Sequence, residues 1–489
     1  MDALNDSTDA SDDEDDFDDV DNLTAAILRD RMGAELEFHH RGELLSRLNN
    51  IDSPVQTIRD SFSLMPKVTE EDFDNIASRM SRIPSALAGY RESLSEAAST
   101  GDVASHRQID AVINQCELLG DTESQLDHLG LSPDSHVVGH AKEAFLQMAD
   151  WLSTELSPQA SHNDGVGRER YQLFAEFFHG REVDLDAGYE WAQEQLAHTV
   201  EEQRAIAHEL YGDVSVAGAY RNLNQDERYL VHGVDEIREW MQDVADDAIA
   251  GIDGEHFDIP PEIATIECKI DPAGTGAIFY TPPSDDMLRP GTMWWSVPEG
   301  QETFHTWQEL TTVHHEGVPG HHLQLGSALV QEDLNLWRRA VTWNSGHGEG
   351  WALYAEQLMA ELGYMDDPGF RMGMLDAQRL RAARVVVDIG LHLGKQLPDC
   401  STSGVWDKAH VKTFMRENTA MDDANLNFEV NRYLGWPGQA PAYALGYRDW
   451  LTLRDKAVAQ GMDLRRFHDK ALRLGSMPMD LLASEVLNH

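Results

Sequence analysis

Residues 306–322 read Thr306-Trp307-Gln308-Glu309-Leu310-Thr311-Thr312-Val313-His314-His315-Glu316-Gly317-Val318-Pro319-Gly320-His321-His322, and the reading of the whole chain turns on them. Trp307, Leu310 and Val313 recur at helical spacing with no breaker, so a helix is expected to run into the histidines. Four imidazoles then flank one carboxylate within nine positions. Histidine is the commonest protein ligand for zinc, and a glutamate beside a ligating histidine is where metallohydrolases keep the base that deprotonates a metal-activated water. In the familiar His-Glu-x-x-His pattern the two ligands stand at i and i+4 on one helix face. Here Pro319 occupies the second place. On an ideal helix His315 and His321 point roughly 120° apart, while His314 and His321 share a face but lie about 10 Å apart along the axis. A shared ion therefore requires Pro319-Gly320 to bend the chain and return His321 beside His315. The expected ligands are His315 and His321 with Glu316 as base; His314 and His322 are the reserve pair. The competing reading is a helix that simply ends at Pro-Gly between buried structural histidines.

A catalytic zinc takes three protein ligands and a water. Downstream, Gly346-His347-Gly348-Glu349-Gly350-Trp351-Ala352-Leu353-Tyr354-Ala355-Glu356 opens an amphipathic helix expected to run to about Gly363. Glu349 in its first turn is the expected third ligand, and Glu356, two turns on along the same face, the acceptor for a ligand histidine's free N–H. His347 is a weaker candidate ligand. An acidic residue in a first turn also suits the helix dipole without any metal.

Four blocks, His-His-Glu-Gly-x-Pro-Gly-His-His-x-Gln, Glu-Gly-Trp-Ala-x-Tyr-Ala-Glu, Arg384-x-x-x-Asp388-x-Gly390-x-His392 and Arg432-Tyr433-x-x-Trp436-Pro437-Gly438-Gln439-Ala440, occur in that order. They resemble the signature blocks of the "domain of unknown function 885" family, zinc-peptidase-like proteins more distantly similar to the helical oligopeptidases and carboxypeptidases related to angiotensin-converting enzyme. The resemblance covers about the last two fifths of the chain. It implies a mainly α fold, a helical clam-shell with a deep peptide-binding cleft and one zinc at its floor; the short β-branched runs at 264–270, 277–280 and 292–297 add a small β-sheet beside the active site. It also implies that Tyr443 supplies the phenol which related metallopeptidases aim at a developing oxyanion, with Tyr447 one turn on as a substitute; a plain core tyrosine is the alternative. Pro441 departs from the family's usual small or aliphatic residue but is tolerated at a helix's first position.

Arg384, Asp388 and His392 recur every four residues and share one helix stripe. The functional reading has Asp388 orienting an imidazole or Arg384, with His392 facing the cleft and Arg384 binding substrate. The other reading is a buried ion pair. Arg432 and Arg448 are candidate clamps for a peptide carboxylate, or ordinary surface pairs.

The composition bounds the remainder. With 489 residues and 41% hydrophobic content the chain can build a large core. No apolar run approaches the roughly 18 residues of a membrane helix, and the N-terminus lacks a signal peptide's basic and apolar regions, so a soluble, cytoplasmic protein without a membrane partner is expected. Cys116, Cys268 and Cys400 are too few and too dispersed for a disulfide framework. The 86 acidic against 38 basic residues give a net charge of −48, of which the first 21 residues carry −11. That suits a salt-rich, halophilic cytosol, where charge is screened over about 3 Å at 1 M salt; an acidic partner-binding surface is the alternative. Nucleic acid is excluded as a partner by the lack of a basic patch.

Residues 1–21 are expected to be an acidic, disordered tail, 22–255 a helical lobe and 256–489 a catalytic lobe. Helical periodicity is strongest at 72–95, 105–119, 139–155 and 185–211. Runs at 264–270, 277–280 and 292–297 read as short strands, with Tyr280 and 292–296 as the edge that holds an extended peptide. The expected function is a zinc-dependent hydrolase of short peptides, using one ion (or another divalent metal) with Glu316 as general base. A metal-dependent amidase or esterase, or a non-catalytic metal- or peptide-binding protein, are the alternatives.

Overall fold

The computed structural model describes residues 18–62, 65–132, 135–271, 278–298, 300–398 and 404–488; residues 1–17 of the tail expected at 1–21, Ala277 and Cys400 lie outside them. The fold is mainly α. Among the described residues ten helices precede a three-stranded sheet: α1 Asp19–His40, α2 Pro54–Asp60, α3 Glu70–Met80, α4 Ile83–Thr100, α5 His106–Gly120, α6 His136–Trp151, α7 Arg168–His179, α8 Leu185–Tyr211, α9 Val216–Leu223 and α10 Val234–Ile252. Nine follow it: α11 Thr306–Glu316, α12 His321–Leu329, α13 Ser345–Glu361, α14 Pro368–His392, α15 Lys408–Asn418, α16 Asp423–Gly435, α17 Pro441–Ala459, α18 Leu464–Arg473 and α19 Met479–Leu487.

Part of the chain's acidity is spent on helix starts. Asp18, Asp184, Asp367, Asp422 and Asp463 each accept backbone N–H groups that the first turn leaves without a partner. Asp18 caps α1 through Asp21 N–H at 2.9 Å, so residues 18–21 belong to a helix and not to a tail. The stretch expected as one helix over 72–95 is two, because the chain turns at Ser81 and Arg82 and Pro84 is accepted in the opening turn of α4. The helix expected over 139–155 closes in a π turn at Leu152–Leu156.

The strands are β1 Leu230–His232, β2 Ile266–Asp271, β3 Ile278–Thr281, β4 Gly291–Ser296 and β5 Thr303–His305; β1 pairs with β5, and the larger sheet runs β2-β4-β3. Strand β4, expected at an edge, is central: β2 pairs with it in parallel and β3 antiparallel, so its backbone groups are already spent. The sheet lies beside the histidine segment, with Ile266 against Gly317 and Gly291 against His322.

The largest apolar core gathers Ile27 and Met241 with Trp351, Leu358, Trp450 and Leu482, so packing spans the break in the sequence at 256. No helix of the described residues is long and apolar enough to cross a membrane. One crossing positions the site: a Cβ on Gly350 of α13 would stand 2.5 Å from Gly446 of α17, and one on Gly446 would stand 2.1 Å from the Gly346 carbonyl. Glycines let the two backbones touch, which sets Glu349 of α13 beside Tyr443 of α17.

Candidate metal centre

Helix α11 ends at Glu316, and the chain reverses through Gly317-Val318-Pro319-Gly320 before α12 begins at His321. Two glycines make the reversal possible by close approach. A Cβ on Gly317 would lie 2.6 Å from the Val313 carbonyl oxygen, and one on Gly320 only 1.9 Å from that of His315. The turn is pinned by Gly317 N–H to Val313 O (2.8 Å), Gly320 N–H to His314 O (3.1 Å) and the Trp351 indole N–H to Pro319 O (2.8 Å). It brings the His315 and His321 rings to 4.9 Å between centroids, nearly perpendicular at 86°.

Glu349 completes the group. Its Oε2 lies 3.5 Å from His315 Nε2 and 3.6 Å from His321 Nε2. Ligand atoms about 2.0–2.1 Å from a tetrahedral ion stand roughly 3.3 Å from one another, so the spacing fits zinc. Among the described residues His315, His321 and Glu349 are the set that can hold an ion, with all three ligand atoms within 4.8 Å. Behind them, Glu356 accepts from His315 Nδ1 at 2.7 Å and from the Thr311 hydroxyl. That carboxylate requires the proton on Nδ1, so in the neutral imidazole Nε2 is the atom left to bind a metal. Burial alone would lower His315, but Glu349 and Glu356 outweigh it and push it up to about 10. Burial would raise Glu349, but the His315 and His321 imidazoles hold it well below the usual carboxylate range.

Glu316 is 8% exposed. Burial raises its pKa, the Glu349 charge adds to this, and His315, His321 and Arg381 oppose it. A carboxylate whose pKa is raised beside a candidate metal site has a property that a general base needs. Tyr443 is half-buried, and burial together with the Glu349 charge raises it, so its phenol stays protonated as a donor.

The reserve histidines are committed elsewhere. His314 donates from Nδ1 to Val318 O at 3.2 Å; His322 donates from Nε2 to Ile263 O at 2.8 Å and accepts from Tyr280 OH at 2.8 Å. The Tyr280 hydroxyl is therefore a support for His322, while its strand β3 stands at the edge of the sheet, as expected. His347 is 1% exposed and bonded to Gln324 at 3.1 Å. The stripe on α14 does not converge on the metal. Asp388 accepts from Tyr171 OH at 2.6 Å and Gly438 N–H at 2.9 Å, so it locks the turn before α17 and orients neither a ligand imidazole nor Arg384. His392, 2% exposed, donates to Tyr433 O at 2.8 Å and stacks on Tyr171, facing no cleft. Arg384 pairs with Glu429 at 2.8 Å, and Arg432 pairs with the same carboxylate at 3.1 Å. Arg448 lies over Trp191.

Sequence reasoning passed over Thr311, Gln324, Trp343, Arg381 and Glu429. Thr311 stands four residues before His315, a spacing that could have placed it on the same face. Gln324 sits three after His321 and faces its Nδ1 at 3.5 Å. Trp343 stands beside His321 at 5.9 Å between rings, with no local signal to announce it.

A solved structure from Colwellia psychrerythraea, described as a "putative lipoprotein", shares the fold at a TM-score of 0.78 and 24% identity, over 90% of this chain and 80% of that one. Another, from Shewanella oneidensis and described as a "putative lipoprotein of unknown function", matches at a TM-score of 0.74 and 15% identity, over 100% of this chain and 91% of that one. No curated protein matches the sequence. The family described as "Bacterial protein of unknown function (DUF885)" matches residues 2–486, and this chain belongs to it.

Proposed function

We propose that the protein is a zinc-dependent hydrolase that cleaves peptide bonds of short peptides. The observation carrying this reading is the convergence of two imidazole Nε2 atoms and one carboxylate on a single ion-sized space, with the raised carboxylate of Glu316 at its side. When bound by His315, His321 and Glu349, zinc supplies Lewis acidity towards a carbonyl and lowers the pKa of a water.

The side chains supply the rest. Glu316 takes the proton of the attacking water and delivers it to the leaving amine. Tyr443 donates its O–H to the carbonyl oxygen as negative charge appears there, a bond stronger in the transition state than in the ground state. Glu356 and Thr311 fix the tautomer and orientation of His315. The likeness to helical zinc peptidases rests on the signature blocks and belongs to this proposal.

The deciding experiment is metal analysis and product mapping on mixed peptides with the wild-type chain and Glu316→Gln. The variant should keep stoichiometric zinc and lose turnover by at least about 100-fold. Turnover of esters or non-peptide amides alone would move the substrate class, and equal behaviour of variant and wild type would make the protein a binder.

A further inference from the structure

Beside the metal centre two buried guanidinium groups offer more N–H donors than the neighbouring side chains use. Arg384, 7% exposed, and Arg432, 9% exposed, both pair with Glu429. Two guanidinium groups thus share one carboxylate in a chain carrying 86 acidic residues. Arg384 is further held by Tyr433 OH at 2.9 Å, and Arg432 by Gln439 at 2.5 Å, while the buried Nε of Arg432 has no hydrogen-bond partner among the described residues. Asp388 acts on Arg432 only through its charge: its Oδ2 is spent on Tyr171 and Gly438, and the ion pairs of both arginines run to Glu429. A buried N–H left without an acceptor costs about 1–3 kcal/mol. The free donor of Arg432 calls for an acceptor that arrives from outside.

Position says which reaction that anion attends. Both guanidinium groups cover the Tyr443 ring, Arg384 at 5.4 Å and Arg432 at 6.0 Å from its centroid. Tyr443 in turn stands beside Glu349 through the glycine crossing of α13 and α17. The cluster is therefore one side chain away from the ion site. Guanidinium forks match the two oxygens of a carboxylate, and the sharing of Glu429 holds both in fixed orientation.

We infer that Arg384 and Arg432 form a receptor for a carboxylate of the substrate, which makes the preferred substrates of the proposed hydrolase anionic peptides. This rests on the hydrolase reading for its substrate but is testable apart from it. A carboxylate can come from a peptide's C-terminus or from an acidic side chain, and the same pair receives either.

Zinc-loaded Glu316→Gln protein is titrated by calorimetry with four matched short peptides, carrying a free or amidated C-terminus and Glu or Gln at one position. One carboxylate should tighten binding roughly 10- to 100-fold. A preference for free acid over amide assigns the C-terminus; a preference for Glu over Gln assigns the side chain. Adding Arg432→Gln should abolish the preference, Arg432→Lys should restore part of it, and Arg448→Gln should leave it intact. Equal binding of all four peptides, binding of none, or a full preference retained by folded, zinc-loaded Arg432→Gln overturns the receptor. Cleavage by wild type without any carboxylate preference sinks the receptor and spares the hydrolase. Carboxylate-dependent binding with no cleavage by wild type does the reverse.

Discussion

The histidine turn at 314–322 and the Arg384-Asp388-His392 stripe look alike as sequence, each gathering ionisable residues within nine positions, yet the structure treats them differently. The turn folds its residues onto one point, with His315 and His321 rings 4.9 Å apart. The stripe sends its residues to three destinations: Glu429, the Gly438 turn and the Tyr433 carbonyl. A turn is closed by covalent geometry and its own hydrogen bonds, so its outcome is local. A helical stripe fixes only which residues share a face, and the neighbouring helices decide what each one meets.

The largest expected effect follows from making the turn impossible. Gly320→Ala would place a methyl 1.9 Å from the His315 carbonyl, a backbone atom that cannot step aside. His321 would then leave His315, and stoichiometric zinc should be lost in metal analysis while far-UV circular dichroism stays helical. If the alanine variant retains zinc, more than the turn's own backbone brings the two imidazoles together.

That locality is also why so much of the site is legible in the amino-acid sequence. The interrupted spacing at Pro319 forces a bend if the histidines are to meet, and seven residues of helix carry Glu349 to Glu356 on one face. The mainly α fold follows from periodicity in the same way, and Leu185–Tyr211 appears with its expected bounds. What could not be read is set by long-range packing. The sheet order leaves β4 with neighbours on both sides, and Glu429 reaches Arg384 across 45 positions of sequence.

The charged cluster behind Tyr443 gives the next effect. Burial would raise Glu429, but Arg384 and Arg432 overcome it and bring its pKa down to about 2 from an ordinary 4.5. A carboxyl depressed in the folded state contributes stability that is complete above the unfolded value and is lost as pH falls through the folded one. The contribution, on the order of 3 kcal/mol at neutral pH, should therefore fade between about pH 4.5 and 2. The difference in urea midpoint between wild type and Glu429→Gln should be widest near pH 6 and shrink towards pH 3. A constant difference would mean that the arginines do not hold this charge.

The support behind the turn is weaker than the turn itself. Glu356→Gln keeps an acceptor for His315 Nδ1 but loses the charge, and should cost roughly 10- to 100-fold in zinc affinity by competition with a chelator. Stability without metal should change less, because the Gln amide N–H can donate to the Thr311 hydroxyl oxygen in place of accepting from it. An unchanged zinc affinity would show that the orientation of His315 is set by packing alone.

The smallest effect separates the two regions most cleanly. Asp388→Asn can set its one oxygen in the place of Oδ2, which receives both Tyr171 OH and Gly438 N–H, and loses only the charge that strengthens both bonds in a fully buried side chain. The expected cost is about 1 kcal/mol in denaturant unfolding, with zinc content and affinity as in wild type. Since Gly438 opens the turn that feeds α17, the loss should be felt through the placement of Tyr443, as a lower kcat with little change in KM. Zinc loss in this variant would mean that the stripe and the turn are one unit after all, and that the neighbours of α14 reach further into the metal centre than their contacts indicate.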